Sequence, residues 1–341
     1  MSGEGDRDLE LPPISYVWRT PVRRPKRAKW DIPDPIDSRK LTPAMRAKLQ
    51  RIVAKAPEVM VKITGKTKTV GHLKSHLEYI TRNGELAAET ETGAVMQRRQ
   101  GLRDIQAQWA DDAELDSSRR RDGPLSHNII LSMPPGTDPM AVKDAVRAFA
   151  IETFGGLHDY VFVQHLDDEH PHVHLTVRSL GYDGKRLNPR KGDLATWREQ
   201  FAGELRLRGI EAEATPRRTR GKVRKAEQGV VRAIKQRGEQ PRVERLAREE
   251  IVKEVRGGKR SARPWEAKTR ERQVDIREAY RQQAEDLQRS QNAADRELAK
   301  QVTQFVAGMP EVETKRDRLL NELAKAIGKT WPPQAGKNKE R

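Results

Sequence analysis

The tightest constraint on this chain is one short stretch, Gln164-His165-Leu166-Asp167-Asp168-Glu169-His170-Pro171-His172-Val173-His174-Leu175. In a β-strand, side chains at i and i+2 leave the same face. His172 and His174 therefore project together, while Val173, Leu175 and Val177 turn toward a core. Upstream, Tyr160-Val161-Phe162-Val163 reads as a second strand that runs into His165, with a short acidic turn between the two. A hairpin of these strands brings His165 beside the pair. Three converging imidazoles form a metal site and leave coordination positions open to a substrate. A single exposed histidine is ordinarily just a surface residue. Here four of the eight histidines fall between positions 165 and 174, two of them on one strand face, which favours a metal site over coincidence. His170 precedes the pair through a proline and has no fixed direction. Asp167, Asp168 and Glu169 read as a solvated turn, any one of which could orient a ligand imidazole or accept a proton.

The partner follows from charge. The chain has 341 residues, is 35% hydrophobic and 34% charged, and carries a net charge of +17. It is too polar for one compact core over its whole length, so extended helical or disordered parts are expected. A balance this basic calls for a polyanion. With no apolar run of membrane-spanning length and no signal-peptide pattern, nucleic acid is the expected partner. The chain has no cysteine, so any metal must be held by nitrogen and oxygen.

Three regions are expected. Residues 1–56 are rich in proline and arginine and read as a mostly disordered arm, with room for a short helix at Pro43-Ala44-Met45-Arg46. Residues 57–215 carry the ordered pattern. A strand at Val59-Met60-Val61-Lys62-Ile63 leads to a helix over about 71–82, stopped by Asn83-Gly84. A second helix over about 101–113 buries Leu102, Ile105 and Trp109. After the loop at Arg119-Arg120-Arg121 comes a strand at 127–133, then a helix capped by Asp138 with Pro139 at its first position. The histidine strands follow, then an Asp183-Gly184 turn into a further short strand, and a helix over about 194–208 with Leu194, Trp197, Phe201 and Leu205 inside. This order predicts the α+β class, an antiparallel sheet with flanking helices. Residues 216–341 form a basic helical extension and tail, in which Tyr280, Ala284, Leu287, Ala294, Leu298, Val302 and Phe305 recur at helical spacing and suit a helical hairpin or weak coiled coil.

A metal site on a strongly basic chain suggests phosphate chemistry. The helix over 71–82 offers a side-chain nucleophile. Leu73, Leu77 and Ile80 share its buried face, and His72, His76, Tyr79 and Asn83 line an adjacent one. Taken alone, Tyr79 is more often an amphipathic packing residue than a nucleophile, because a phenol that ionises near pH 10 needs a cation, a metal or a base beside it.

Four segments in this order resemble the relaxases, the mobilization nucleases of the HUH superfamily, and within them the MobP-type group that contains the Agrobacterium T-DNA border endonuclease. His76-Leu77-Glu78-Tyr79-Ile80-Thr81-Arg82-Asn83-Gly84 resembles the nucleophile motif. Ser126 to Pro134, with Gly136-Thr137-Asp138-Pro139, resembles the second motif, and His165 to His174 the metal-binding third. Ala214-Thr215-Pro216-Arg217-Arg218 with Arg220-Gly221 is similar to the segment that often closes the domain. The likeness spans about residues 57–225. One departure is Arg178, which stands where some relatives carry asparagine.

The resemblance implies that Tyr79 is the nucleophile and that His165, His172 and His174 hold Mg²⁺ or Mn²⁺. Imidazoles prefer transition metals, so Mn²⁺ is expected to serve at least as well. Asp167, Asp168, Glu169, His170 and His127 are the candidates to orient ligands or move a proton. The implied reaction is metal-dependent, strand-specific DNA nicking by transesterification, leaving a 5′-phosphotyrosine for conjugative or mobilization transfer. The nick site must be single-stranded or extruded DNA at a transfer origin. Lys185, Arg186, Arg190 and Lys191, with Arg217, Arg218, Arg220, Lys222 and Arg224, are expected to hold flanking DNA. Accessory relaxosome proteins, a type IV coupling protein and a cytoplasmic enzyme that can travel with its DNA into a recipient cell complete the expectation. A rolling-circle replication initiator of the same superfamily, or a non-catalytic basic DNA-binding protein, are the alternatives.

Overall fold

A computed structural model describes residues 41–116, 119–222, 227, 229–257 and 263–326. The proline-rich arm up to residue 40, Arg224 and the tail from residue 327 lie outside these. The chain divides into two compact units whose sequences meet at Pro216 and Arg217.

The first unit is built on a six-stranded antiparallel sheet. Its strands are β1 (Met60–Thr67), β2 (Ala88–Thr90), β3 (Val95–Met96), β4 (Ser126–Ser132), β5 (Tyr160–His165) and β6 (His172–Arg178), in the spatial order β1-β4-β6-β5-β2-β3. Helices α1 (Pro43–Val53), α2 (Val70–Ile80), α3 (Arg98–Leu115), α4 (Pro139–Phe154) and α5 (Lys191–Leu207) surround it. The expected α+β class with an antiparallel sheet is what the chain adopts.

Strand alternation divides the sheet into two covered faces. On one, Val61, Ile129, Leu131, Phe162, Val173, Leu175 and Val177 pack under α4 and α5 through Phe149, Phe154, Trp197 and Phe201. On the other, Val161 and Val163 pack under α2 and α3 through Leu73, Leu77, Ile80, Leu102, Ile105 and Trp109. The histidines of β5 and β6 belong to this second face. Their register is fixed by the same pattern. A one-residue slip would drive His172 and His174 into the aromatic core and lift Val173 and Leu175 out of it, where each fully buried aliphatic side chain is worth about 1.5–3 kcal/mol.

Local signals set the helix ends. Thr69 Oγ1 accepts the His72 N–H at 3.2 Å to open α2, and Asp138 accepts the Met140 N–H at 3.0 Å to open α4. Beyond α2, Arg82, Asn83 and Gly84 all take positive φ (51°, 58° and 92°), so the Asn-Gly stop extends one residue further back than expected.

Three expectations need correction. Order begins earlier than residue 57: α1 runs from Pro43 to Val53, Leu49 and Ile52 are buried, and Arg51 Nε donates to the buried carboxylate of Glu213 at 2.9 Å. The Asp183-Gly184 turn leads to an isolated bridge between Leu180 and Arg186, not to a strand. The small β2–β3 hairpin was unforeseen, because strands of three and two residues give no periodicity to read.

The second unit is helical: α6 (Gly229–Gln236), α7 (Arg242–Gly257), α8 (Pro264–Gln288), α9 (Ala293–Ala307) and α10 (Lys315–Ala326). Helices α8 and α9 form the expected hairpin over Tyr280, Ala284, Leu287, Leu298, Val302 and Phe305, with the Tyr280 and Phe305 rings 5.5 Å apart. Ala294 is exposed and drops out of the stripe. Ile251 of α7 packs with Leu319 and Leu320 of α10.

Candidate metal centre and nucleophile

The β5–β6 hairpin pairs His165 directly with His172, and Val163 with His174. The three rings converge, with centroids 5.2 Å apart for His165–His172, 4.4 Å for His165–His174 and 5.3 Å for His172–His174. One nitrogen from each lies within 4.8 Å of the others. Hydrogen bonds select which nitrogens are free. The Nε2 of His165 lies 2.6 Å from the Ile80 carbonyl oxygen, so Nε2–H donates there and Nδ1 keeps its lone pair. In His172, Nδ1 lies 2.9 Å from the His170 carbonyl oxygen, which leaves Nε2 free. Burial pushes the His174 pKa down to about 3, reinforced by His165, His172, His76 and Arg82, so this ring is a neutral donor at physiological pH. His165 is shifted the same way, chiefly by burial. Three imidazoles on rigid strands fit a divalent transition ion; an all-nitrogen set suits Mn²⁺ better than Mg²⁺.

Tyr79 stands on the last turn of α2 and is 60% exposed. Leu73, Leu77 and Ile80 anchor the adjacent face of that helix in the core, so the phenol emerges at its flank beside the sheet. Its ring meets His174 edge to face at 6.2 Å between centroids. Tyr79 and His165 are 86 residues apart in sequence, yet α2 lies on the histidine face and brings Tyr79 to the cluster.

Two neighbours had no assigned role in the sequence. His76 Nε2 lies 3.0 Å from Thr176 Oγ1, and burial lowers its pKa to about 4. Arg82 holds its guanidinium 5.4 Å from the Tyr79 ring centroid and pairs with Asp167. Spacing gave a usable hint for His76 alone: it is one helical turn from Tyr79, and its partner Thr176 continues the alternation of His172 and His174.

The structure sorts the remaining candidates. Asp167 is close, its carboxylate 3.8 Å from His165 Nδ1 and paired with Arg82, which holds it below the usual carboxylate range. Asp168 and Glu169 are exposed in the turn, Asp168 accepting the His170 N–H at 3.4 Å. His170 Nδ1 lies 3.3 Å from the Met133 carbonyl oxygen, and its own carbonyl orients His172. His127 is misplaced by the sequence reading. It pairs with Val177 on β6, so its ring leaves the sheet on the face opposite the three ligands, where Nδ1 lies 3.1 Å from Ser179 Oγ.

The expected DNA contacts also divide. Lys185 and Arg186 lie beyond the Arg178 end of β6, six residues from His172, or about 20 Å along a strand. Arg186 is committed to Asp116 and the Pro124 carbonyl. Arg190 and Lys191 open α5, which covers the other face of the sheet. These four residues therefore do not line the histidine site. Lys62 does share its face: it pairs with Ile130, which pairs with His174, placing the exposed lysine two strands away in the same row. In the second unit, Arg217, Arg218 and Arg220 form a 3₁₀ turn; Arg218 and Arg220 are half-buried and the Arg218 carbonyl accepts from Gln273, whereas Lys222 is exposed. Arg178 is held by Asp112 and Asp159, which accounts for an arginine at that strand end.

Residues 79–205 match the family model described as relaxase, MobA/VirD2-like, nuclease domain. The chain is similar to the T-DNA border endonuclease VirD2 of Rhizobium radiobacter, 31% identical over 185 residues that cover 48% of this chain and 43% of that protein. It is 29% identical to the T-DNA border endonuclease VirD2 of Agrobacterium fabrum (strain C58 / ATCC 33970), over 48% of this chain and 41% of that protein. The chain thus spans less than half the length of these curated relatives. A solved structure described as "Molecular Basis of Vancomycin Resistance Transfer in Staphylococcus aureus" aligns over 47% of this chain and 99% of its own at 14% identity, with a TM-score of 0.31, too distant to bear on the fold. No described helix is long and apolar enough to cross a membrane.

Proposed function

We propose that this protein nicks one DNA strand at a transfer origin by transesterification to Tyr79. The observation that carries the reading is the exposed Tyr79 ring 6.2 Å from His174, within a cluster of three histidines whose nitrogens approach to 4.8 Å. His165, His172 and His174 would hold Mn²⁺ or Mg²⁺, which supplies Lewis-acid neutralisation of the scissile phosphate when bound. The chain's own groups do the rest. The Ile80 and His170 carbonyls fix the two imidazole orientations. Tyr79 Oη forms a bond to phosphorus as the bond from phosphorus to the 3′-oxygen breaks. The phenol gives up its proton and the departing 3′-oxygen gains one, so the step is balanced. The product is a 5′-phosphotyrosine and a free 3′-hydroxyl. Because one phosphoester replaces another, the step can run backwards and rejoin the strand, which hydrolysis would forbid.

Only Tyr79 of this cluster is well exposed, and His165 and His174 are buried, so the scissile phosphate must reach them on an unpaired or extruded strand. This reading brings with it accessory relaxosome proteins, a type IV coupling protein, and a protein that starts in the cytoplasm and leaves it attached to DNA. The test is incubation with Mn²⁺ and a pool of single-stranded oligonucleotides tiling the DNA beside its own gene. A denaturant-resistant protein–DNA adduct is expected; free nicked DNA with no adduct, or no cleavage by any oligonucleotide, refutes it.

A further inference from the structure

Arg82 occupies a position where the fold alone would prefer glycine. It follows the last turn of α2 with φ at 51°, in the left-handed region. A non-glycine residue there is strained, and such residues gather at functional sites. Its ion pair with Asp167 does not account for that strain. The two side chains are 37% and 55% exposed, and exposed pairs contribute little to stability. What the conformation does achieve is placement. The guanidinium stands over the Tyr79 ring, 5.4 Å from its centroid, and reaches across to the turn that follows His165.

The chemistry of that place is specific. A guanidinium fork pairs a carboxylate and a phosphodiester with the same geometry. Asp167 presents its carboxylate to Arg82 beside His165, whose Nδ1 is 3.8 Å from the other Asp167 oxygen. An anion held by Arg82 therefore lies next to both the nucleophile and the ligand cluster. We propose that Arg82 binds the scissile phosphodiester, exchanging the Asp167 carboxylate for a non-bridging phosphate oxygen while its guanidinium stays over Tyr79. Asp167 holds the arginine in position until DNA arrives. Arg82 is then a catalytic residue of the strand-transfer step and Asp167 its positioning residue. The inference rests on the reading of Tyr79 as the nucleophile.

The test uses the full chain and whichever oligonucleotide the wild-type protein cleaves, under single-turnover conditions at saturating DNA with Mn²⁺. Arg82→Ala is expected to slow adduct formation about 100-fold, the usual cost of removing one charge-stabilising donor. Arg82→Lys, which keeps the charge without the fork, should fall between the two. Asp167→Ala should lose less than about tenfold, because the arginine remains. With a methylphosphonate at the nick site, which removes the phosphate charge, the deficit of Arg82→Ala against wild type should vanish. An equal loss in Arg82→Ala and Asp167→Ala would make the pair structural, and a deficit that persists on the methylphosphonate would remove the phosphate contact; either result overturns the inference. A wild-type protein that forms no adduct overturns the strand-transfer reading itself. Melting temperatures of all variants, expected to stay close to wild type, separate these outcomes from misfolding.

Discussion

The Nε2 of His165 lies 2.6 Å from the carbonyl oxygen of Ile80, the residue that follows Tyr79. One hydrogen bond thus ties an imidazole of the histidine cluster to the helix that carries Tyr79. It sets which nitrogen of His165 faces the cluster, and it fixes the height of Tyr79 above the sheet.

Replacing His165 should therefore affect two things at once. His165→Ala is expected to abolish Mn²⁺ binding by calorimetry and to loosen the end of α2. His172→Ala, at the more exposed end of the cluster, should lower Mn²⁺ affinity at least about 10–100-fold while leaving the melting temperature nearly unchanged. Undiminished Mn²⁺ binding in both variants would exclude this cluster as the metal site.

Acid should destabilise the protein through buried histidines. The folded pKa of His174 is about 3, and those of His76 and His127 about 4, each lowered chiefly by burial. In the unfolded chain these rings titrate near 6.5. Between those limits the unfolded state binds more protons, so stability is complete above about pH 6.5 and falls as pH drops toward 4. Thermal melts across this range should show a plateau above pH 7 and a decline below 6.5. A melting temperature that stays level to pH 4.5 would contradict the burial of these rings.

DNA affinity should depend on the histidine-bearing face and not on the hairpin beyond β6. Lys62→Ala is expected to weaken binding of a single-stranded oligonucleotide and to reduce the slope of log affinity against log salt by about 0.7. Lys185→Ala, at the far end of the sheet, should leave that slope unchanged. Fluorescence anisotropy over a salt series reads both, and the reverse pattern would place the DNA track elsewhere.

Glu213 is the anchor for α1. Its carboxylate accepts from the Ala214 and Thr215 N–H groups at 3.0 and 3.1 Å, from Thr215 Oγ1 at 2.7 Å, and from Arg51. Burial alone would raise its pKa, but Thr215, Lys48 and Arg51 outweigh it and hold it below the usual range. Glu213→Ala orphans two buried N–H groups and should cost at least about 2 kcal/mol in urea unfolding. A loss under about 0.5 kcal/mol would show that α1 is dispensable to the first unit.

The convergence of the three histidines was legible because strand alternation is a strict period of two, so His172 and His174 declared a shared face and the apolar residues around them declared the core. The hairpin register then followed from one acidic turn. The helix of Tyr79 was legible from its leucines and its Asn-Gly stop. Its proximity to the triad was not, because no local pattern states which face of a sheet a helix covers. The same gap misplaced His127, whose strand was read correctly but whose side of the sheet depends on pairing with Val177. Charge was the least legible property. Arg186 looks like any basic surface residue in sequence, and only the fold shows it committed to Asp116. Helix α1 was legible only as a short helix at Pro43-Ala44-Met45-Arg46; its full length and its attachment to the first unit were not, because its partner Glu213 lies far along the chain.

The proposed reaction bonds Tyr79 covalently to DNA, and mass spectrometry of the adduct after nuclease and protease digestion tests this most directly. A nucleotide joined through a 5′-phosphate to Tyr79 is expected, and no adduct in Tyr79→Phe. A modified residue other than Tyr79, or an adduct that survives in Tyr79→Phe, would contradict it.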